Sequence, residues 1–181
     1  MELSRIIHFE VLEPDAADMG AASQILAYWE QARGDRFAPA WQRDFRLLDL
    51  PVDAIPCMTV VDRIRDGKAY FYRFWGTRHA ILKGFEMTGK TVEATPNRTI
   101  GALAAQQFDA VIRRRRPTVF LYKIDYPARR RLAEFVLRLP LSDDGETVDR
   151  IATFQDLISV GRDWQEAVAK IWQMPEQKTA G

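Results

Sequence analysis

The stretch CMTVVDRIRDGKAYFYRFW, residues 57–75, decides how this chain folds. Two runs rich in Val, Ile, Tyr, Phe and Trp, residues 57–65 and 69–75, flank Asp66-Gly67. Such runs favour extended backbone, and an Asp-Gly pair turns it back on itself because glycine adopts positive φ at little steric cost. A β-hairpin is predicted here. Upstream, Ile25, Tyr28, Trp29 and Ala32 recur at helical spacing, and Gly34 follows where a helix would stop, so a first amphipathic helix is expected. Pro39, Trp41, Phe45 and Leu48 suggest a second short helical segment, closed by Pro51 and Pro56.

Downstream of the hairpin, residues 76–98 contain Gly76, Gly84 and Gly89 with short apolar groups between them, which suits small helices and turns. Thr99 is placed to cap a helix carrying Ile100, Leu103, Ala104, Phe108, Val111 and Ile112 on one side, with arginines in its last turn and Pro117 ending it. Runs 118–125, 131–141 and 149–158 then read as strands of an antiparallel meander, separated by Tyr126-Pro127-Ala128 and Ser142-Asp143-Asp144-Gly145. A last amphipathic helix carries Trp164, Val168, Ile171 and Trp172, and the polar tail Glu176 to Gly181 is expected to be disordered. The division is an N-terminal extension over 1–19, a domain over 20–160, and a C-terminal helix and tail over 161–181.

Bulk properties bound the function. With 181 residues, 47% hydrophobic and 28% charged, the chain has the material for one domain with a real core and lacks the signature of disorder. Its single cysteine, Cys57, excludes an internal disulfide framework and a thiolate-rich zinc site, and fits a reducing compartment. No apolar run approaches the roughly 20 residues that span a bilayer, and the first eight residues lack a signal peptide's apolar stretch, so a cytoplasmic location is expected. A net charge of +1 gives no overall reason to expect nucleic acid or an anionic membrane. Locally, Arg113, Arg114, Arg115, Arg116, Lys123, Arg129, Arg130 and Arg131 face the lone acid Asp125, while Glu10, Glu13, Asp15 and Asp18 cluster near the start.

Two strands, several short helices, one long helix and three more strands make an α+β layout. That order resembles a PAS domain. The likeness reaches individual residues at Tyr72-Arg-Phe-Trp-Gly-Thr77, then Leu82, Gly84-Phe85 and Gly89-Lys90. Tyr28-Trp29, Arg33-Gly34, Pro39 and Asp49-Leu-Pro51 resemble a bacterial family of stand-alone PAS-like proteins, and the match spans roughly residues 20–160. The resemblance implies a curved five-stranded antiparallel sheet with helices on one face and flanking N- and C-terminal helices. Between sheet and helices it implies a pocket that holds a small molecule or is filled by side chains. It further implies a non-catalytic sensory or regulatory role in bacterial signalling, including motility and cell-cycle control, with no particular cofactor indicated. No kinase, cyclase or DNA-binding segment is recognisable after residue 160, so the signal is expected to leave through a signalling protein in trans.

Several side chains are candidates for a site. Tyr72, Trp75, Phe85, Phe108 and Tyr122, with Tyr70, Phe74, Phe120 and Phe135, either line an apolar pocket or pack as ordinary core, and core packing is the commoner outcome. His79 is either a haem ligand in such a pocket or, more commonly, a histidine hydrogen-bonded at a helix start. Arg73, among aromatic residues in a strand, would need an anionic partner or acidic ligand if it faced inward, and the outward orientation is the commoner one. Covalent flavin chemistry of the light-oxygen-voltage type needs a cysteine on the short helices, whereas Cys57 precedes the first hairpin strand. No serine or cysteine nucleophile with a histidine partner and no glycine-rich phosphate loop is recognisable.

Arg113, Arg116, Arg129 and Arg131 either bind an anion such as a phosphate or nucleotide, or simply complement a helix end and keep a sheet edge soluble. No base-reading module is present, which argues against nucleic acid. Tyr28, Trp29, Trp164, Ile171 and Trp172 offer more apolar area than one small sheet covers, and by resemblance to PAS proteins a homodimer is expected. The alternative from another class is a small enzyme or carrier of an apolar or acidic metabolite, using His79 and Arg73 in a cone-shaped pocket.

Overall fold

A computed structural model of the chain describes residues 7–14, 19–125 and 131–158, together with positions 161, 162, 165, 166 and 169. Six strands form one antiparallel sheet: β1 (Ile7–Leu12), β2 (Met58–Ile64), β3 (Ala69–Trp75), β4 (Thr118–Asp125), β5 (Arg131–Leu141) and β6 (Arg150–Gln155). Their order across the sheet is β1-β4-β5-β6-β2-β3. The expected hairpin joins β2 to β3 in the register Ile64↔Ala69, with Arg65, Asp66 and Gly67 all in the left-handed region at φ 53°, 53° and 86°. Strands β4, β5 and β6 form the expected meander, pairing as neighbours in chain order.

The sixth strand is a departure from the five expected. β1 lies within the segment read as an extension outside the domain, yet all of it pairs with β4, from Ile7↔Ile124 to Leu12↔Val119. Its reason is local: Ile7, Phe9 and Val11 alternate with His8 and Glu10, and a strand with that period covers the β4 edge that would otherwise present unpaired backbone. Phe9 meets Phe120 edge-on at 5.7 Å.

Strand alternation sends side chains to two opposite layers. Val60, Val119, Leu137, Leu139, Ala152 and Phe154 face one side, and α1 (Ala21–Arg33) with the segment after it covers them. Trp29 seals this layer: it is 1% exposed and its indole N–H donates to the Pro140 carbonyl at 2.8 Å. Instead of a second short helix, the Pro39–Leu48 stretch forms an isolated bridge between Trp41 and Phe45 and enters a single 3-10 turn at Leu47–Asp49. Gly34 closes α1 at φ 56°, as the sequence placed it.

Val61, Tyr70, Tyr72, Phe120, Val136 and Ile151 face the other side, under α2 (Thr77–Lys83) and α3 (Arg98–Arg114). The cap of α3 is Asn97 rather than Thr99: its Oδ1 accepts from the Ile100 N–H at 3.2 Å. Asn97 is fully buried, whereas Thr99 is exposed and lies inside the first turn. Arg115, at φ 53°, ends the helix just before Pro117. Both long helices thus lie on the sheet, one on each face.

Candidate functional site

The layer under α2 and α3 holds an unusual mixture of rings and polar groups. Its assembly begins at Gly76, where any Cβ would fall 2.2 Å from the Pro56 carbonyl oxygen and 2.6 Å from that of Met58. Only glycine permits this approach, and it presses the start of α2 against the start of β2. His79, one turn into α2, therefore reaches the Cys57 carbonyl oxygen at 3.0 Å through Nε2. Its Nδ1 lies 2.9 Å from the ammonium of Lys83, the residue one turn further along.

These two contacts fix the imidazole. A carbonyl oxygen only accepts, so Nε2 carries the proton, and an ammonium only donates, so Nδ1 is the bare acceptor. The ring is neutral, and its pKa lies well below the usual histidine value, first because burial disfavours the cation and then because Lys83 repels it. Both ring nitrogens are engaged, which leaves neither lone pair directed at a haem iron.

Trp75 forms the hub beside His79. Its indole lies 5.0 Å from the imidazole, 4.9 Å from Tyr72 in an edge-on contact, and 5.8 Å from Phe85 in a stacked one. Lys83 Nζ sits over the same ring at 4.9 Å. Burial pushes the Tyr72 phenol well above its ordinary pKa, so it stays protonated at all physiological pH.

The other end of the layer is set by β5. Arg138 pairs across to Thr118 on β4 and Thr153 on β6, in the middle of the sheet, and shares the α3-facing side with Val136. It is only 5% exposed. Its Nε and one terminal nitrogen donate to Gln107 Oε1 at 3.0 and 2.7 Å, and the other terminal nitrogen donates to Thr153 Oγ1 at 2.8 Å. The guanidinium lies 4.4 Å from the Phe108 ring centre. Burial lowers its pKa, and the hydroxyls of Tyr122 and Tyr72 partly offset that. Every partner named is neutral. A cation held this way costs several kcal/mol of desolvation, which hydrogen bonds to neutral oxygens and cation–π contact offset only in part.

Two donors in this layer are buried without an acceptor, Trp75 Nε1 and Gln107 Nε2. Gln107 is fully buried, and its oxygen is already committed to Arg138. Native interiors leave few such groups, and each asks for an explanation.

Of the pocket candidates, the structure brings Tyr72, Trp75, His79, Phe85 and Phe108 into this one layer, with Tyr122 half-buried at its margin. Arg73 is not among them. Alternation along β3 puts it on the side opposite Tyr72, where it is exposed and forms an ion pair with Asp62, which also accepts from Arg150 Nε at 2.9 Å. Arg73 thus has the outward orientation read as the commoner one, and its place among the pocket candidates, with the pairing of His79 and Arg73 in one site, is corrected. Gln107, Thr153, Lys83 and Arg138 are the participants that the sequence reading missed.

The arginine cluster is split. Arg116 pairs with Glu13 at 2.8 Å, Arg114 pairs with the same carboxylate, and Arg115 lies 4.0 Å from the Phe37 ring centre. Arg113 is exposed at the end of α3. Arg131 begins β5, and Arg129 lies outside the described residues. Of the residues read as a dimer face, Trp29 is covered by the chain's own sheet, and Tyr28 is half-buried with its hydroxyl 3.1 Å from Asp49. Trp164, Ile171 and Trp172 lie outside the described residues. Among the described residues no helix is long and apolar enough to cross a membrane, and no group of three metal-ligating side chains converges.

An antiparallel sheet of six strands, with helices across the face that carries these polar groups, defines an α+β fold of the PAS-like class. The sequence pattern of the family described as PAS domain matches residues 18–154. The chain belongs to the PAS domain family. No curated protein matches it in sequence. Among solved structures, the 1.65 Å crystal structure of a cysteine-to-valine variant of the fungal photoreceptor VVD is similar, at 12% identity and a TM-score of 0.41, covering 72% of this chain and 91% of that one.

Proposed function

We propose that this PAS domain is a non-catalytic sensory or regulatory module that takes a small molecule between the sheet and helices α2 and α3 and passes its state to a signalling protein in trans. One observation carries this: two buried donors, Trp75 Nε1 and Gln107 Nε2, have no acceptor among the described residues. A layer packed only for stability would have apolar groups there, since a buried donor left unmade costs about 1–3 kcal/mol. A ligand carrying acceptor atoms removes that cost on binding, and its arrival changes the contacts of Trp75 and Gln107 and hence the seating of α2 and α3. The neutral, doubly engaged His79 supports a positioning role rather than proton transfer. Cytoplasmic residence, in keeping with the reduced and buried Cys57, and pairing with a second copy belong to the same proposal.

Native mass spectrometry of freshly purified protein, with an absorption spectrum alongside, tests it. A reproducible extra mass that is lost on denaturation is expected. A bare protein mass under conditions that retain weak ligands, with no new mass after incubation with cell metabolite extract, would count against sensing and favour docking by a packed domain.

A further inference from the structure

We infer that the ligand of this layer is an anion, a small organic carboxylate with an aromatic or otherwise apolar body, and that Arg138 and Gln107 together hold its carboxylate. The inference deepens the sensory proposal and rests on it.

Arg138 is a buried guanidinium, and its partners among the described residues are neutral oxygens and rings. Among the described residues, Asp62 is committed to Arg73 and Arg150, and Asp109 to the Tyr70 hydroxyl. Among the described side chains no carboxylate pairs with Arg138. Arginine keeps its charge at neutral pH even when buried, so the layer carries a positive charge that awaits compensation.

Geometry narrows the class. Three guanidinium N–H groups donate to Gln107 and Thr153, two of them to the single oxygen of Gln107, and the Tyr122 hydroxyl is a further partner. The Gln107 amide that holds the guanidinium has its own nitrogen unmatched. A guanidinium N–H and an adjacent amide N–H are a donor pair suited to a carboxylate, and charge-assisted bonds of this kind are about twice as strong as neutral ones. A phosphoryl group, with nearly double the charge, would require more cationic charge than Arg138 alone supplies, and the layer's other buried cation, Lys83, is held by His79 Nδ1 and the Trp75 ring. Phe108, Tyr72 and Trp75 are the buried rings of this layer among which the remainder of the molecule would pack.

The test compares phenylacetate with its neutral isostere phenylacetamide, by calorimetry and thermal denaturation on the full-length chain dialysed free of small molecules. Phenylacetate is expected to bind at least tenfold more tightly than the amide. Two variants separate recognition from folding. Arg138→Gln is expected to lose the preference. Gln107→Glu places a carboxylate on Arg138 within the protein, and is expected to raise the midpoint of the ligand-free protein while abolishing phenylacetate binding. Equal binding of acid and amide, or undiminished phenylacetate binding by a folded Gln107→Glu protein, would overturn the anionic assignment while leaving a sensed neutral ligand in place. No binding of either probe at millimolar concentration would overturn it too, and an extra mass in native spectra would then still sustain the sensory proposal on its own.

Discussion

His79 and Lys83, one turn apart on α2, meet through Nδ1 and Nζ at 2.9 Å while the opposite ring nitrogen is held by the Cys57 carbonyl. The folded protein therefore keeps this imidazole neutral, with a pKa well below that of the unfolded chain, which titrates near 6.5. Between those two values the unfolded state binds a proton that the folded state refuses. Stability is therefore fully present above pH 6.5 and falls as pH drops below it, by about 1.4 kcal/mol per pH unit from this one group. Urea midpoints at pH 5.0 and 7.5 should show this slope in the wild type and a shallower one in His79→Gln. Parallel slopes in the two proteins would show that the ring is not held as described.

Gly76 supports the same arrangement from below. With carbonyl oxygens 2.2 and 2.6 Å from the place its Cβ would occupy, Gly76→Ala must push α2 away from β2. The expected loss is about 3 kcal/mol, at the upper end of overpacking costs, with a shift in the fluorescence of the nearby Trp75. Gly161→Ala, where nothing lies within 4 Å, serves as the control and should change stability by less than about 0.5 kcal/mol.

Trp29 belongs to the opposite layer, and its substitution should act on stability alone. Trp29→Phe leaves the Pro140 carbonyl without its 2.8 Å donor and should cost about 1–3 kcal/mol. Trp29→Ala should cost about 3–5 kcal/mol. Neither is expected to change the solution mass by light scattering, because the ring is covered by the chain's own sheet. A mass change in the folded Phe variant would place Trp29 at an interface between copies.

Arg73 and Arg150 share Asp62 but differ in surroundings, since the Arg73 side chain is 47% exposed and that of Arg150 is 19% exposed. Arg73→Ala should cost less than about 1 kcal/mol, as exposed ion pairs do. It should leave small-molecule retention unaltered in native spectra. Arg150→Ala should cost more, because Asp143 and Asp149 lose their shared cation and Asp62 keeps only the exposed Arg73. Loss of a bound molecule in Arg73→Ala would return Arg73 to the site.

Much of the fold was legible because its signals are local. The Asp66-Gly67 turn, Gly34 and Pro117 each act through the φ values they allow, and β2, β3 and α3 follow from them. β1 carried the period-2 alternation of Ile7, Phe9 and Val11, but an edge strand is set by its partner β4, which sequence spacing does not reveal. The rings of the site were legible as aromatic residues on strand and helix faces. Its polar groups were hidden for the opposite reason: Arg138 sits in the apolar run Phe135 to Leu141, and Gln107 sits on the apolar face of α3 between Ala104 and Val111. A polar residue at an inward position in an apolar run is the signal that could have found both. Arg73 drew attention because it neighbours aromatic residues in sequence, and alternation turned it to the other face.

A crystal structure of the protein taken directly from purification tests the central claim most directly. The account predicts density between the sheet and helices α2 and α3 for a small molecule whose acceptor atoms lie within hydrogen-bond distance of Trp75 Nε1 and Gln107 Nε2. A layer in which protein side chains alone fill that space, with both donors turned onto protein acceptors, would contradict it.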